Sequence, residues 1–169
     1  MTRRSLFRLR PLAFAGVLAG VCFPSTSVAD DAQGGPPPVI LKAGETVLPF
    51  EATGVDGTIR EIKYSSTTVI VFFLSGCPTC HKMLPEWNWA YERKGKDVQM
   101  VGVLMDREPP GFFDVNPVAF PVVRAPSREF GRIFKVARVP ITLRVAAGGK
   151  VESAELGLLD RIKLGALVR

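Results

Sequence analysis

The sequence predicts an α/β fold with a mixed central sheet, and three observations carry that prediction. Thr67–Leu74 (TTVIVFFL) and Val98–Met105 (VQMVGVLM) are continuous apolar runs rich in β-branched residues. Such runs mark strands buried on both faces, so helices must cover the sheet above and below. Between them, Pro78–Arg93 has helix length and a proline in its first turn, where the missing N–H is tolerated. Two turn dipeptides, Asp56-Gly57 and Gly148-Gly149, each separate short strand-like segments and mark hairpins.

Taken in order, Thr46–Ala52 and Thr58–Lys63 form an N-terminal ribbon around Asp56-Gly57, followed by the first central strand, Thr67–Leu74. A helix runs from Pro78 to about Arg93, with Pro85 bending its middle, and Val98–Met105 is the second buried strand. Pro109 to Phe120 is a breaker-rich apolar insertion before the second helix. That helix spans Ser127 to Val136, capped by Ser127, with Phe130, Ile133 and Phe134 on one face. Ile141–Ala146 and Lys150–Ala154 pair as a hairpin, and Leu158–Val168 is the closing helix. The predicted order is ββ–β–α–β–α–β–β–α.

The chain has 169 residues, 47% of them hydrophobic and 22% charged, which excludes collagen-like and wholly disordered classes and suits one domain. Its net charge of +6 suggests a polyanion partner only until the first 29 residues are set aside. There Arg3, Arg4, Arg8 and Arg10 precede the apolar run Pro11–Phe23 and the small residues Ser27 and Ala29, the pattern of a cleaved export signal ending at Ala29. Removing those four Arg from the 22 basic residues leaves 18 against 16 acidic ones, or +2, and the nucleic-acid reading falls away. The Arg3-Arg4 pair fits a twin-arginine route as well as a general secretory one. An uncleaved signal would act as a tether. Cys22 follows Val21, which is not small, so it reads as a signal residue rather than a lipid-anchor site. Residues 30–42 are a Gly/Pro-rich leader, and residues 43–169 are the folded domain.

With the signal removed, Cys77 and Cys80 are the only cysteines, and they lie in Gly76-Cys77-Pro78-Thr79-Cys80-His81 at a strand-to-helix junction. A thiol at a helix entrance meets unsatisfied backbone N–H groups and the positive dipole end, which favour its thiolate. Cys77 is therefore the exposed nucleophile and Cys80, one turn in, the resolving thiol. A purely structural disulfide is the weakest alternative, because so short a loop restricts the unfolded chain little. The literal C-x-x-C-H of residues 77–81 also matches c-type haem attachment. Against that, the motif follows a buried strand, and His81 is the only His, which leaves Met83, Met100 or Met105 as the second ligand.

Phe72-Phe73-Leu74-Ser75-Gly76-Cys77-Pro78-Thr79-Cys80-His81-Lys82-Met83-Leu84-Pro85 resembles the active-site segment of the thioredoxin superfamily, including the helix proline eight residues after the first Cys. Arg138-Val139-Pro140-Ile141-Thr142 resembles its cis-proline loop. The long Cys80–Pro140 spacing is similar to the exported TlpA/ResA-like and methylamine-utilisation thiol oxidoreductases, as are Pro49-Phe50 and Phe120-Pro121-Val122-Val123. The resemblance implies a thioredoxin-like fold over 43–169 and an exported, periplasmic, monomeric thiol–disulfide oxidoreductase. Its redox-active disulfide, Cys77–Cys80, would need no metal or other cofactor. It also implies an active-site loop of Gly76, Pro78 and Thr79, and substrate binding at Val139 and Pro140, whose X–Pro bond can be cis at modest cost. Its partners would be exported protein thiols or disulfides, reduced with electrons from a membrane-bound thiol donor.

The chain also departs from that pattern. Gly76 stands where many thioredoxins have Trp, and the acids expected at Val71 and Met83 are apolar, which leaves Glu86 or Asp106 as candidate proton acceptors for Cys80. His81 reads as a solvated helix residue. Arg128, Arg132 and Lys135 share a helix face that could meet an acidic partner, although a solvated face is the simpler reading. Trp87 and Trp89 cannot share a face, which predicts that at least one lines the active-site surface. A peroxidase needs a hydroxyl three residues before its reactive Cys, and Leu74 stands there. A copper chaperone needs wider Cys spacing than two residues.

Overall fold

A computed structural model describes residues 40–169, and the signal and most of the leader lie outside the described residues, as do the expectations attached to them. In chain order the elements are β1 (Phe50–Thr53), β2 (Ile59–Ile62), β3 (Thr67–Phe73), α1 (Pro78–Arg93), β4 (Val98–Leu104), α2 (Phe112–Val115), β5 (Val122–Arg124), α3 (Arg128–Ile133), β6 (Ile141–Val145), β7 (Val151–Leu156) and α4 (Arg161–Leu167). Strands β5-β4-β3-β6-β7 form a five-stranded sheet, and β1-β2 form a separate antiparallel ribbon. The β3, β4 and β5 strands run parallel, while β6 is antiparallel to β3 and β7 to β6. This is a mixed α/β, thioredoxin-like fold.

Strand β3 is central because every residue from Thr68 to Phe73 is buried. Its alternation divides the core into two layers. Val69, Val71 and Phe73 face a layer that includes Met83 and Trp87 of α1 and Leu164 of α4. Ile70 and Phe72 face the other, with Phe130 and Phe134. There Phe50 of β1 packs edge-on against Phe130 at 4.8 Å between ring centroids, which fixes the ribbon to the domain.

Several local expectations change. Strand β5 and the one-turn helix α2 are additions to the expected order, since three and four residues carry no readable period. Helix α3 ends at Ile133 rather than Val136, and Lys135 takes a left-handed conformation (φ 51°) that stops it. Ile133 is 59% exposed, whereas Phe130 and Phe134, one turn apart, face the core. In this short helix the i, i+4 pair takes the buried stripe and the i+3 position swings outward. The core also begins earlier than Ala43, because Leu41, assigned to the leader, is only 6% exposed. The ribbon strands are shorter than expected, and α4 starts at its cap, Asp160, whose side chain accepts from Lys163 N at 2.8 Å.

Candidate active site

Parallel pairing of β3 with β4 aligns Phe73 with Leu104. The two chains therefore leave the sheet side by side, and the segment after β3 turns directly into α1. Cys77 is the N-cap of that 16-residue helix, with extended backbone (φ −93°, ψ 111°), and Pro78 occupies the first turn. The Cys77 N–H donates to Leu74 O at 3.3 Å, and His81 N–H donates to Cys77 O at 3.1 Å. The Cys77 Sγ accepts from Cys80 N–H at 3.2 Å, so one orphan helix donor is aimed at the sulfur that would carry the charge. Cys77 is half-buried, Cys80 has no exposed surface, and both are free thiols. Burial pushes the Cys80 thiol well above its usual range, and the Cys77 sulfur and the negative charge of Asp106 push in the same direction. Gly76 and Pro78 are exposed and Thr79 is half-buried, forming an open rim beside Cys77.

Ser75, which sequence reasoning missed, is the hub of this loop. Its N–H donates to Asp106 Oδ1 at 2.9 Å, and its hydroxyl donates to Asp106 Oδ2 at the same distance. Its carbonyl accepts from His81 Nε2 at 2.6 Å, so this exposed helix residue also braces the loop. No single segment signals it: only the strand register, continuing the Phe73–Leu104 alignment by two residues, brings Ser75 opposite Asp106. Of the two candidate acids, Asp106 lies at the site, whereas Glu86 pairs with Arg161 at 2.7 Å. Met83 is buried, and its sulfur accepts from Leu159 N–H at 3.4 Å.

This geometry predicts the effect of Asp106→Asn. The amide can still accept from Ser75 but no longer opposes ionisation of Cys80. The pH at which Cys80 begins to release a mixed disulfide therefore moves downward. The shift is modest, since burial is the larger cause of the raised thiol. Stopped-flow release rates across the alkaline range measure it. An unmoved midpoint would reduce Asp106 to a loop brace.

The second motif meets the first at the end of β3. Antiparallel pairing puts Ile141 opposite Phe72, so Pro140 and Val139 follow opposite Phe73 and Leu74. The Val139–Pro140 peptide is cis, and Pro140 O accepts from Gly157 N–H at 2.9 Å. Val139 is half-buried, and among the described residues no backbone partner takes its N–H or C=O.

Neither tryptophan lines the site, contrary to expectation. Trp87 is fully buried, with its indole N–H donating to Thr142 Oγ1 at 3.1 Å. Trp89 lies between the guanidinium groups of Arg93 and Arg161, 5.0 and 5.3 Å from its ring, at the α1–α4 seam. The helical period turns residue 87 inward beneath the sheet and residue 89 along the surface, away from the helix entrance. The haem reading loses its support here as well. Cys80 has no surface from which to bond a porphyrin, and His81 Nε2 is held by Ser75 O.

A family model described as Redoxin matches residues 42–161. The chain belongs to the Redoxin family. It is 26% identical over 142 residues to the sporulation thiol-disulfide oxidoreductase A of Bacillus subtilis (strain 168), covering 80% of this chain and 81% of that protein. Among solved structures, StoA from Bacillus subtilis superposes with a TM-score of 0.65 at 21% identity, covering 74% of this redoxin and all of that chain. The thioredoxin domain of a thiol-disulfide oxidoreductase from Bacteroides vulgatus gives 0.66 at 18% identity, covering 76% of this redoxin and 99% of that chain. By family and homology, this redoxin is a thiol–disulfide oxidoreductase.

Proposed function

We propose that this redoxin acts outside the cytoplasm as a protein-disulfide reductant, with Cys77 attacking and Cys80 resolving. The observation that carries the reading is the asymmetry of the pair. Cys77 is accessible and its sulfur accepts a helix-entrance N–H, while Cys80 is sealed and its thiol is held un-ionised. The Cys77 thiolate attacks one sulfur of the partner disulfide, that S–S bond breaks, and the departing partner thiolate takes a proton from water. Cys80 then loses its proton and attacks Cys77 Sγ. The second partner thiolate leaves, and Cys77–Cys80 closes as a disulfide. The partner gains two electrons, which a membrane-bound thiol donor returns to the redoxin.

Val139 supports the alignment of substrate, since its free backbone N–H and C=O can pair with an extended partner segment beside Cys77. Gly76, Pro78 and Thr79 leave the rim open enough for a folded or partly folded protein. The asymmetry assigns the order of attack, and the direction of transfer rests on the family resemblance. A reductant is what the resemblance to the exported TlpA/ResA-like thiol oxidoreductases implies, and the potential of the couple decides it. Export is supported by the signal-like residues 1–29, and the partners are then exported proteins, such as cytochromes awaiting maturation. No described helix is long and apolar enough to cross a membrane. Equilibrating the Cys77–Cys80 couple with glutathione and counting alkylatable thiols tests the direction. A potential in or below the glutaredoxin range supports the reading, and one near that of strongly oxidising dithiols refutes it.

A further inference from the structure

A groove of about 950 Å³ runs between the end of β4 and α3. Its lining includes Asp106, which holds Ser75 two residues before Cys77, and Ala137, two residues before Val139. The groove therefore borders the segments that lead to Cys77 and Val139. The floor is apolar, with Leu104 and Met105 on one side and Val136 on the other. The rim carries Arg107, Arg124, Arg128, Arg132 and Lys135. Asp106 is the only acid among the lining residues, and both of its carboxylate oxygens accept from Ser75.

Three of the five cations have acidic partners outside the groove lining: Arg124 pairs with Glu108, Lys135 with Glu45, and Arg132 with Glu129. The Arg132–Glu129 pair is exposed on both sides, so it is weak and open to exchange with another carboxylate. Arg107 and Arg128 are in no ion pair among the described residues. A chain whose predicted mature form is close to neutral thus gathers cations along a groove that shares Asp106 with the active-site loop. Charge of this kind governs which partner is captured and how fast more than it adds raw affinity.

We propose that this groove docks an acidic, extended segment of the protein whose disulfide Cys77 attacks. The segment lies along the apolar floor, and its carboxylates pair with Arg107 and Arg128. This deepens the reductase reading by naming the partner's chemistry, and it rests on that reading for the docked protein's fate.

The test uses two synthetic peptides, each with one cysteine in mixed disulfide with glutathione. One is flanked by Glu and Asp, the other by Lys. The reduced protein is expected to prefer the acidic peptide by about tenfold in kcat/KM at low salt, with the preference fading as salt rises. In Arg107→Glu/Arg128→Glu the preference reverses, while the rate with a small neutral disulfide stays at the wild-type level. Binding of a serine-for-cysteine acidic peptide, read from amide shifts at 104–107 and 128–137, tests docking without any exchange. Such shifts in a protein that exchanges with no disulfide would sink the reductase reading and leave the groove standing. Equal rates with both peptides, or no shifts at these residues, would overturn the docking proposal. Concentration-dependent shifts without peptide would assign the groove to a second copy of the chain, and would equally overturn it.

Discussion

Cys77→Ser abolishes disulfide exchange, and Cys80→Ser leaves the redoxin covalently attached to its partners. A serine hydroxyl at the cap of α1 still accepts the Cys80 N–H bond, so the loop and helix keep their shape. It is not ionised near neutral pH and forms no disulfide, so the first attack is lost entirely. In Cys80→Ser the attack survives, but nothing beneath Cys77 can displace the second partner thiolate. Mixed disulfides accumulate and appear as reducible adducts by intact mass. Residual exchange by Cys77→Ser above the uncatalysed rate would mean that another group does the chemistry.

Trp87→Ala is expected to cost about 3–5 kcal/mol, the range for truncating a buried aromatic side chain. Total stability of a domain is about 5–15 kcal/mol, so thermal denaturation should show a fall in Tm on the order of 10 °C. The loss also reaches the site. Trp87 lies on the helix that begins at Cys77, and its indole bonds Thr142, two residues after Pro140 on β6. This contact ties the two halves of the active site together through the core. Trp87→Phe fills most of the space but leaves the Thr142 hydroxyl buried without that donor, at a cost of about 1–3 kcal/mol. A Trp87→Ala protein within 1 kcal/mol of the wild type would show that α1 and β6 are held by other contacts.

What could be read from sequence was what a single segment carries. The run around Val69–Phe73 has no polar residue to turn outward, and it became the central strand with both faces covered. Cys77-Pro78-Thr79-Cys80 announced a helix entrance because proline belongs there, and Pro140 signalled a second motif that the β3–β6 register brings alongside. What stayed hidden depends on pairing between segments. Asp106 was one of two acids with no means of choosing between them until the β3–β4 register set it against Ser75. Ser75 and His81 look like ordinary polar residues, and their roles exist only through that alignment. Trp87 and Trp89 could be assigned to different faces but not to what each face meets. Strand β5 is an edge of three residues whose identity comes from β4, and α2 is a single turn with no amphipathic period.

The reduction potential of the Cys77–Cys80 pair tests the central claim most directly. The couple is equilibrated with glutathione or dithiothreitol, quenched by alkylation and read by intact mass. The reductant reading predicts a potential of roughly −200 to −270 mV, the range of glutaredoxins and thioredoxin. A potential near −120 mV, as in strongly oxidising dithiols, would contradict it and make this redoxin a donor of disulfides.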